Sequence, residues 1–203
     1  RVGPSGFIEK GRQNLILQSN TFGTTWNPTN TSVTSGQGGY DGSTDAYKLQ
    51  ATATGSSTNS LSQDVTLTNI VTLSVFAKAG SNASGTQILR LSLNEEVTGS
   101  DPVQKDNSRA FFDLSDGSLA SSGGNTIATN SESFGGGWFR LSVTVKIPST
   151  NTVNKAIIFM GNGGTTIDDQ TSGDFFFIQD FQAEAGIVAT DVITTGATTA
   201  TAG

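Results

Sequence analysis

The stretch Ile70-Val71-Thr72-Leu73-Ser74-Val75-Phe76-Ala77-Lys78 decides the fold. Leu73, Val75 and Ala77 fall on one side of a period-two alternation, and Thr72, Ser74, Phe76 and Lys78 fall on the other. A strand with one buried face has that period, whereas a helix would space its apolar residues three and four apart. The alternation returns in Gln87-Ile88-Leu89-Arg90-Leu91-Ser92-Leu93. It returns again in Trp138-Phe139-Arg140-Leu141-Ser142-Val143-Thr144-Val145-Lys146-Ile147, whose odd-numbered members are apolar. Weaker signals predict strands at 15–18, 46–52, 60–65, 109–113, 127–133, 155–160 and 175–184. Turn sequences separate them: Asp41-Gly42-Ser43, Asp116-Gly117, Ser122-Gly123-Gly124-Asn125 and Gly135-Gly136-Gly137. Glycine supplies positive φ there, and Asp or Asn bonds its own backbone. No run of ten residues carries a helical stripe. The reading is all-β, an antiparallel sandwich or barrel.

Composition narrows the chemistry. Thr, Ser, Asn and Gly make up nearly half of the 203 residues, with no Cys and no His. Imidazole triads, zinc sites of the usual kind, haem thiolates and disulfide frameworks are therefore excluded. Seventeen acidic against 11 basic residues leave a net charge of -6, which speaks against a partner that is nucleic acid. No apolar run approaches the length that crosses a membrane as a helix. Residues 1–13 and 194–203 carry little pattern and read as connectors flanking a domain at 14–193. The opening Arg1-Val2-Gly3-Pro4 fits a piece of a longer or processed chain.

Candidate sites are few. Gly36-Gln37-Gly38-Gly39 and Gly161-Asn162-Gly163-Gly164-Thr165-Thr166 lack the Lys-Ser/Thr of a phosphate loop and read as turns. Glu95, Glu96, Asp113, Asp180 and Glu184 are the carboxylates from which a glycosidase pair would have to come. They sit beside turns or at strand ends, where solvated charge is normal, so an enzyme is not expected. Asp180, flanked by Phe177, Ile178 and Phe181, is the candidate ligand for a structural calcium ion. Trp26, Tyr40 and Tyr47 are the candidates for stacking on a sugar ring, with Trp26 and Tyr40 in turn-rich sequence. Trp138 opens a strand and reads as core. Asn30-Thr31-Ser32 and Asn82-Ala83-Ser84 match the glycosylation sequon by chance in so Asn- and Ser-rich a chain.

Five segments, in order, carry a resemblance. They are Gly6-Phe7-Ile8-Glu9-Lys10-Gly11-Arg12-Gln13-Asn14-Leu15-Ile16-Leu17-Gln18-Ser19-Asn20-Thr21-Phe22 with Trp26; Leu73-Ser74-Val75-Phe76-Ala77-Lys78-Ala79-Gly80; Phe112-Asp113-Leu114-Ser115-Asp116-Gly117; Gly137-Trp138-Phe139-Arg140-Leu141-Ser142-Val143; and Phe177-Ile178-Gln179-Asp180-Phe181-Gln182-Ala183-Glu184-Ala185-Gly186 with Ala189-Thr190-Asp191-Val192-Ile193. Together they resemble a domain of tailed-bacteriophage virion proteins (tail fibres, head fibres, capsid decorations), itself similar to jelly-roll carbohydrate-binding modules. The resemblance implies a two-sheet jelly roll on a particle surface, in contact with other virion proteins. It also implies a homo-oligomer, with a trimer as one form, and a cell-surface glycan as ligand. Asp180 matches the last-strand Asp that contributes to the calcium site of such modules. A decoration or connector domain with no ligand is the alternative, and a glycan-cleaving enzyme the third reading.

Overall fold

A computed structural model describes residues 12–54, 58–81, 87–97, 107–162 and 170–201. Its strands in chain order are β1 (Gln13–Asn14), β2 (Asn27–Thr29), β3 (Thr31–Gln37), β4 (Ala46–Ala51), β5 (Ser60–Leu67), β6 (Ile70–Ser81) and β7 (Gln87–Val97). They continue with β8 (Arg109–Asp113), β9 (Leu119–Ser122), β10 (Thr126–Gly135), β11 (Trp138–Lys146), β12 (Asn151–Asn162), β13 (Phe175–Ala185) and β14 (Ala200–Thr201). No helix occurs among the described residues. One six-stranded sheet runs β10-β11-β6-β13-β4-β3 and the other β2-β5-β12-β7-β8-β9, antiparallel throughout.

The pairings are nested. β4 bonds β13, β5 bonds β12, β6 bonds β11 and β7 bonds β8. A long antiparallel ribbon wound round a core gives this order, and the chain is a jelly-roll sandwich. Alternation explains which face each strand buries. Leu73 and Val75 of β6 oppose Val143 and Leu141 of β11, and these meet Leu91 of β7 and Ile158 of β12 from the other sheet in one continuous core. Apolar burial of this kind contributes about 25 cal/mol per Å² and dominates the stability.

The strongly alternating stretches fall on β6, β7 and β11 as expected, and the six weaker signals from 46–52 onward fall on strands. The signal at 15–18 does not. Leu15, Leu17 and Gln18 run along the sandwich edge, where the Leu15 amide donates to Ala183 O, the Leu17 amide to Gln63 Oε1 and the Gln18 amide to Gly196 O. Three separate partners replace a neighbouring strand, so no ladder forms. Residues 194–201, read from sequence as a connector, lie against this edge. Thr195 is buried, its amide donates to Ser19 Oγ, and the Ser19 amide donates back to Thr195 Oγ1. β14 then pairs with β1.

Candidate functional site

The site grows from the face of the first sheet that the alternation assigned to solvent. Arg140 lies opposite Phe76, Ser142 opposite Ser74 and Thr144 opposite Thr72 on β11 and β6; Glu132 and Asn130 of β10 continue the rows beside Arg140 and Ser142. Two non-strand segments cross this face, which is why Phe76, Thr72 and Ser74 are buried rather than solvated.

At one end the turn before β4 folds over the sheet. The Tyr40 ring stacks on Phe76 at 3.6 Å with an interplanar angle of 3°, and Phe134 meets both rings edge-on at 5.6 and 4.9 Å. Trp138 closes the cluster. Gln179 fixes the turn, accepting from the Tyr40 amide at 3.1 Å and donating to Asp45 Oδ1 at 2.8 Å. The Tyr40 hydroxyl donates to Asp180 Oδ2 at 3.2 Å. Asp180 adopts a left-handed backbone (φ 49°) in the irregular part of β13, and its amide donates to Asn20 Oδ1. Burial pushes its carboxyl up to about 6. The Tyr40 hydrogen bond and Arg140 oppose that shift, while Asp45 and Asp41 add to it. The Tyr40 hydroxyl is held above its ordinary range by burial and by the Asp180 charge.

At the other end, residues 186–193 form a strap across the face, tied down by side chains of the sheet. Thr72 Oγ1 donates to Gly186 O, Thr144 Oγ1 to Ile187 O, and Arg140 to Thr190 O. The buried Glu184 accepts from the Thr190 amide and hydroxyl and from Gln182 Nε2. Gln182 Oε1 in turn accepts from the Ile193 amide. Between strap and edge strand runs a groove of about 310 Å³. Asn130, Glu132, Arg140, Ser142 and Thr144 line it, and Ile187 and Val188 form its apolar wall, at 64% and 61% exposure. Arg140 links the two ends, its guanidinium 5.4 Å from the Phe76 ring centre and its buried Nε without a hydrogen-bond partner. The groove thus offers donors, acceptors and an apolar wall within one concavity.

The structure redistributes the residues singled out from sequence. Tyr40 is half-buried at the cluster, with Phe76 covering one ring face. Trp26 is a correction: it is 4% exposed, wedged between Phe22 and Phe181, with its indole N–H donating to Gln18 O. Its turn-rich surroundings concealed that the chain there turns inward to close the edge of the sandwich. Tyr47 is likewise turned towards the core, edge-on to Phe22 and opposite the buried Ile178. Trp138 is buried as expected, though on the outer face rather than between the sheets. Tyr40 and Asp180, read separately, prove to be hydrogen-bonded partners.

The calcium expectation at Asp180 finds no cluster of three or more acidic side chains among the described residues that could hold a metal ion. The Asp180 carboxyl accepts from a tyrosine. Of the other candidate carboxylates, Asp113 is engaged in a turn and Glu184 in the latch of the strap. Asp113 accepts from the amide and hydroxyl of Ser115, on the opposite sheet from Glu184. The side chains of Glu95 and Glu96, residues 163–166 and the sequon at Asn82 lie outside the described residues. Sequence reading missed Asn130, Glu132, Phe134 and the strap wall. Arg140 stood in a quoted motif, and its even position on an alternating strand was the available signal.

No protein-family model and no curated protein sequence matches the chain. Similar solved structures include the CBM22-1–GH10 modules of Clostridium thermocellum xylanase 10B complexed with xylohexaose. That match has 16% identity and TM-score 0.49 and covers 86% of this chain and 28% of the other. The CBM22-1 xylan-binding domain of Paenibacillus barcinonensis Xyn10C is 13% identical with TM-score 0.47, over 87% and 97% of the two chains. TmCBM61 in complex with β-1,4-galactotriose is 14% identical with TM-score 0.41, over 84% and 97%.

Proposed function

We propose that this chain is a non-catalytic domain that binds a neutral glycan in the groove between β10–β11 and the strap. One observation carries the reading: a concavity lined by Asn130, Glu132, Arg140, Ser142 and Thr144 beside an apolar wall. Sugar hydroxyls donate and accept at once, and a floor mixing a guanidinium, a carboxylate, an amide and hydroxyls satisfies both senses. Glu132 lies directly across the β10–β11 ladder from Arg140, so the floor carries one charge of each sign and suits a neutral ligand better than an anionic one. Glu132 is the single carboxylate lining the groove among the described residues, which leaves the two-carboxylate arrangement of a glycosidase without its second member.

The ordered resemblance of five segments to phage virion domains supports a finer reading. The domain stands on the surface of a tailed-phage particle as fibre or decoration, among other virion proteins and in several copies. Avidity then makes weak single sites sufficient. Burial of Trp26, Trp138 and one face of Tyr40 favours the second reading, a decoration domain without a ligand. A neutral-glycan array decides between them, with Arg140→Ala and Asn130→Ala beside the wild type. The expected result is saturable binding weakened about tenfold or more in Arg140→Ala, the size of one lost charge-assisted hydrogen bond, and about threefold or more in Asn130→Ala, which loses a neutral one. Binding indifferent to both substitutions, or none at high multivalent concentration, overturns the groove assignment. Mass spectrometry of purified particles tests the virion context.

A further inference from the structure

Among the described residues β10 is an unpaired edge of the first sheet, and it differs from the other three edges of the sandwich. β2 is three residues long and contains Pro28; β9 is four residues long; β3 is broken by Gly36 at φ 78° and by a register shift between Thr34 and Gln37. Proline, short length and bulges are the usual devices that stop an edge from recruiting another strand. β10 has ten residues, Thr126-Ile127-Ala128-Thr129-Asn130-Ser131-Glu132-Ser133-Phe134-Gly135, with no Pro, no Lys and no Arg. Its register shifts lie only at its ends, so residues 128–133 form a regular ladder with β11. Ile127 and Phe134 are 52% and 41% exposed.

We infer that β10 pairs antiparallel with β10 of a second copy of this chain, about a two-fold axis at Asn130. The sequence is self-complementary in that register. Ala128 faces Glu132 of the second copy, Thr129 faces Ser131, Ile127 faces Ser133 and Thr126 faces Phe134. The two Glu132 carboxylates, the only charges on the strand, are kept apart, and each keeps its cross-strand Arg140. Opposed like charges, which would forbid the contact, are absent. An isologous contact of this kind closes on itself and gives a dimer. Because Asn130 and Glu132 also line the groove, the pairing joins two grooves into one trough across a twelve-stranded sheet. That last consequence rests on the glycan reading; the pairing does not.

Sedimentation of the full chain over a concentration series, without glycan, tests the pairing. The wild type is expected to dimerise. Asn130→Lys, which sets two ammonium groups face to face on the axis, weakens the dimer about tenfold; Asn130→Glu does the same. An equimolar mixture of the two variants restores dimers. A wild type that stays monomeric at the highest soluble concentration overturns the inference. So does a dimer indifferent to both variants, or a mixture that does not recover. Circular dichroism of each variant shows whether the fold is intact. An array-negative protein that still dimerises refutes the glycan reading and leaves this one standing.

Discussion

Asp180 shows how much one residue can carry. Its carboxyl is raised to about 6 from a usual 3.8, chiefly by burial. Between those two values the folded chain holds a proton that the unfolded chain has lost. Stability therefore falls as pH rises through that window and stays at the lower level above it. Asp180→Asn keeps an acceptor for the Tyr40 hydroxyl, tolerates the left-handed backbone and removes the charge. Thermal melts from pH 3 to 8 are expected to show the wild-type-minus-variant difference drifting towards the variant as pH rises and levelling off above 6; a flat difference would refute the assignment. Calcium added in the same melts should leave the wild type unchanged, and a calcium-dependent rise lost in Asp180→Asn would restore the ion reading. Asn14 matters through hydrogen bonds made in the interior. Its amide donates to Phe181 O and Ile193 O and its Oδ1 accepts from the Ile16 and Ala183 amides, all without solvent. Asn14→Ala strands four buried groups at once, and urea unfolding is expected to show a loss of about 3–4 kcal/mol with an unchanged m-value.

At the scale of elements, the strap is held by polar side chains rather than by a ladder. Glu184 is its latch, accepting three hydrogen bonds while buried. Glu184→Ala removes both acceptor oxygens, so Gln182 Nε2 and the Thr190 amide and hydroxyl all lose their partner. The expected outcome is faster amide exchange at Thr190 and Ile193 and proteolytic nicking within 187–192, with the sheet amides unaffected. Uniformly faster exchange would mean that the latch holds the whole fold instead. The elements also show what was legible in the sequence. β6, β7 and β11 were plain because their alternation is set by burial on one side only. β3 and β9 were not, because these edge strands carry no apolar rhythm to read, and the apolar run at 15–18 read as a strand although separate partners, not a ladder, hold it. The strap escaped as β3 and β9 did: Thr, Gln and Glu at even positions look solvated until the chain that covers them is in place. Trp26 failed in the opposite sense, since a turn-rich neighbourhood says nothing about which way the turn points.

At the scale of the molecule, the nested pairings shape both the groove and the order of folding. Rolling the ribbon brings the segment after the last long strand back across β6 and β11, and so makes a concavity where a flat sheet face would otherwise stand. It also means that the outermost pair, β4 with β13, joins residues more than a hundred positions apart, while β7 and β8 are neighbours in the roll. Loop-closure entropy opposes the outer pairs until the inner ones exist. Folding should therefore be slow, in the millisecond-to-second range typical of such topologies, and should spread from the inner pairs outwards. Leu91→Ala in β7 and Phe112→Ala in β8, both in the shared core, are expected to slow folding with φ above about 0.5. Leu49→Ala in β4 and Phe176→Ala in β13, directly opposed across the outermost pair, should chiefly accelerate unfolding, with φ below about 0.3. Stopped-flow chevrons of the four variants decide it. The reverse ranking would mean that the chain ends meet first, and that the locked edge formed by Asn14, Ser19 and Thr195 is the nucleus rather than the final clasp.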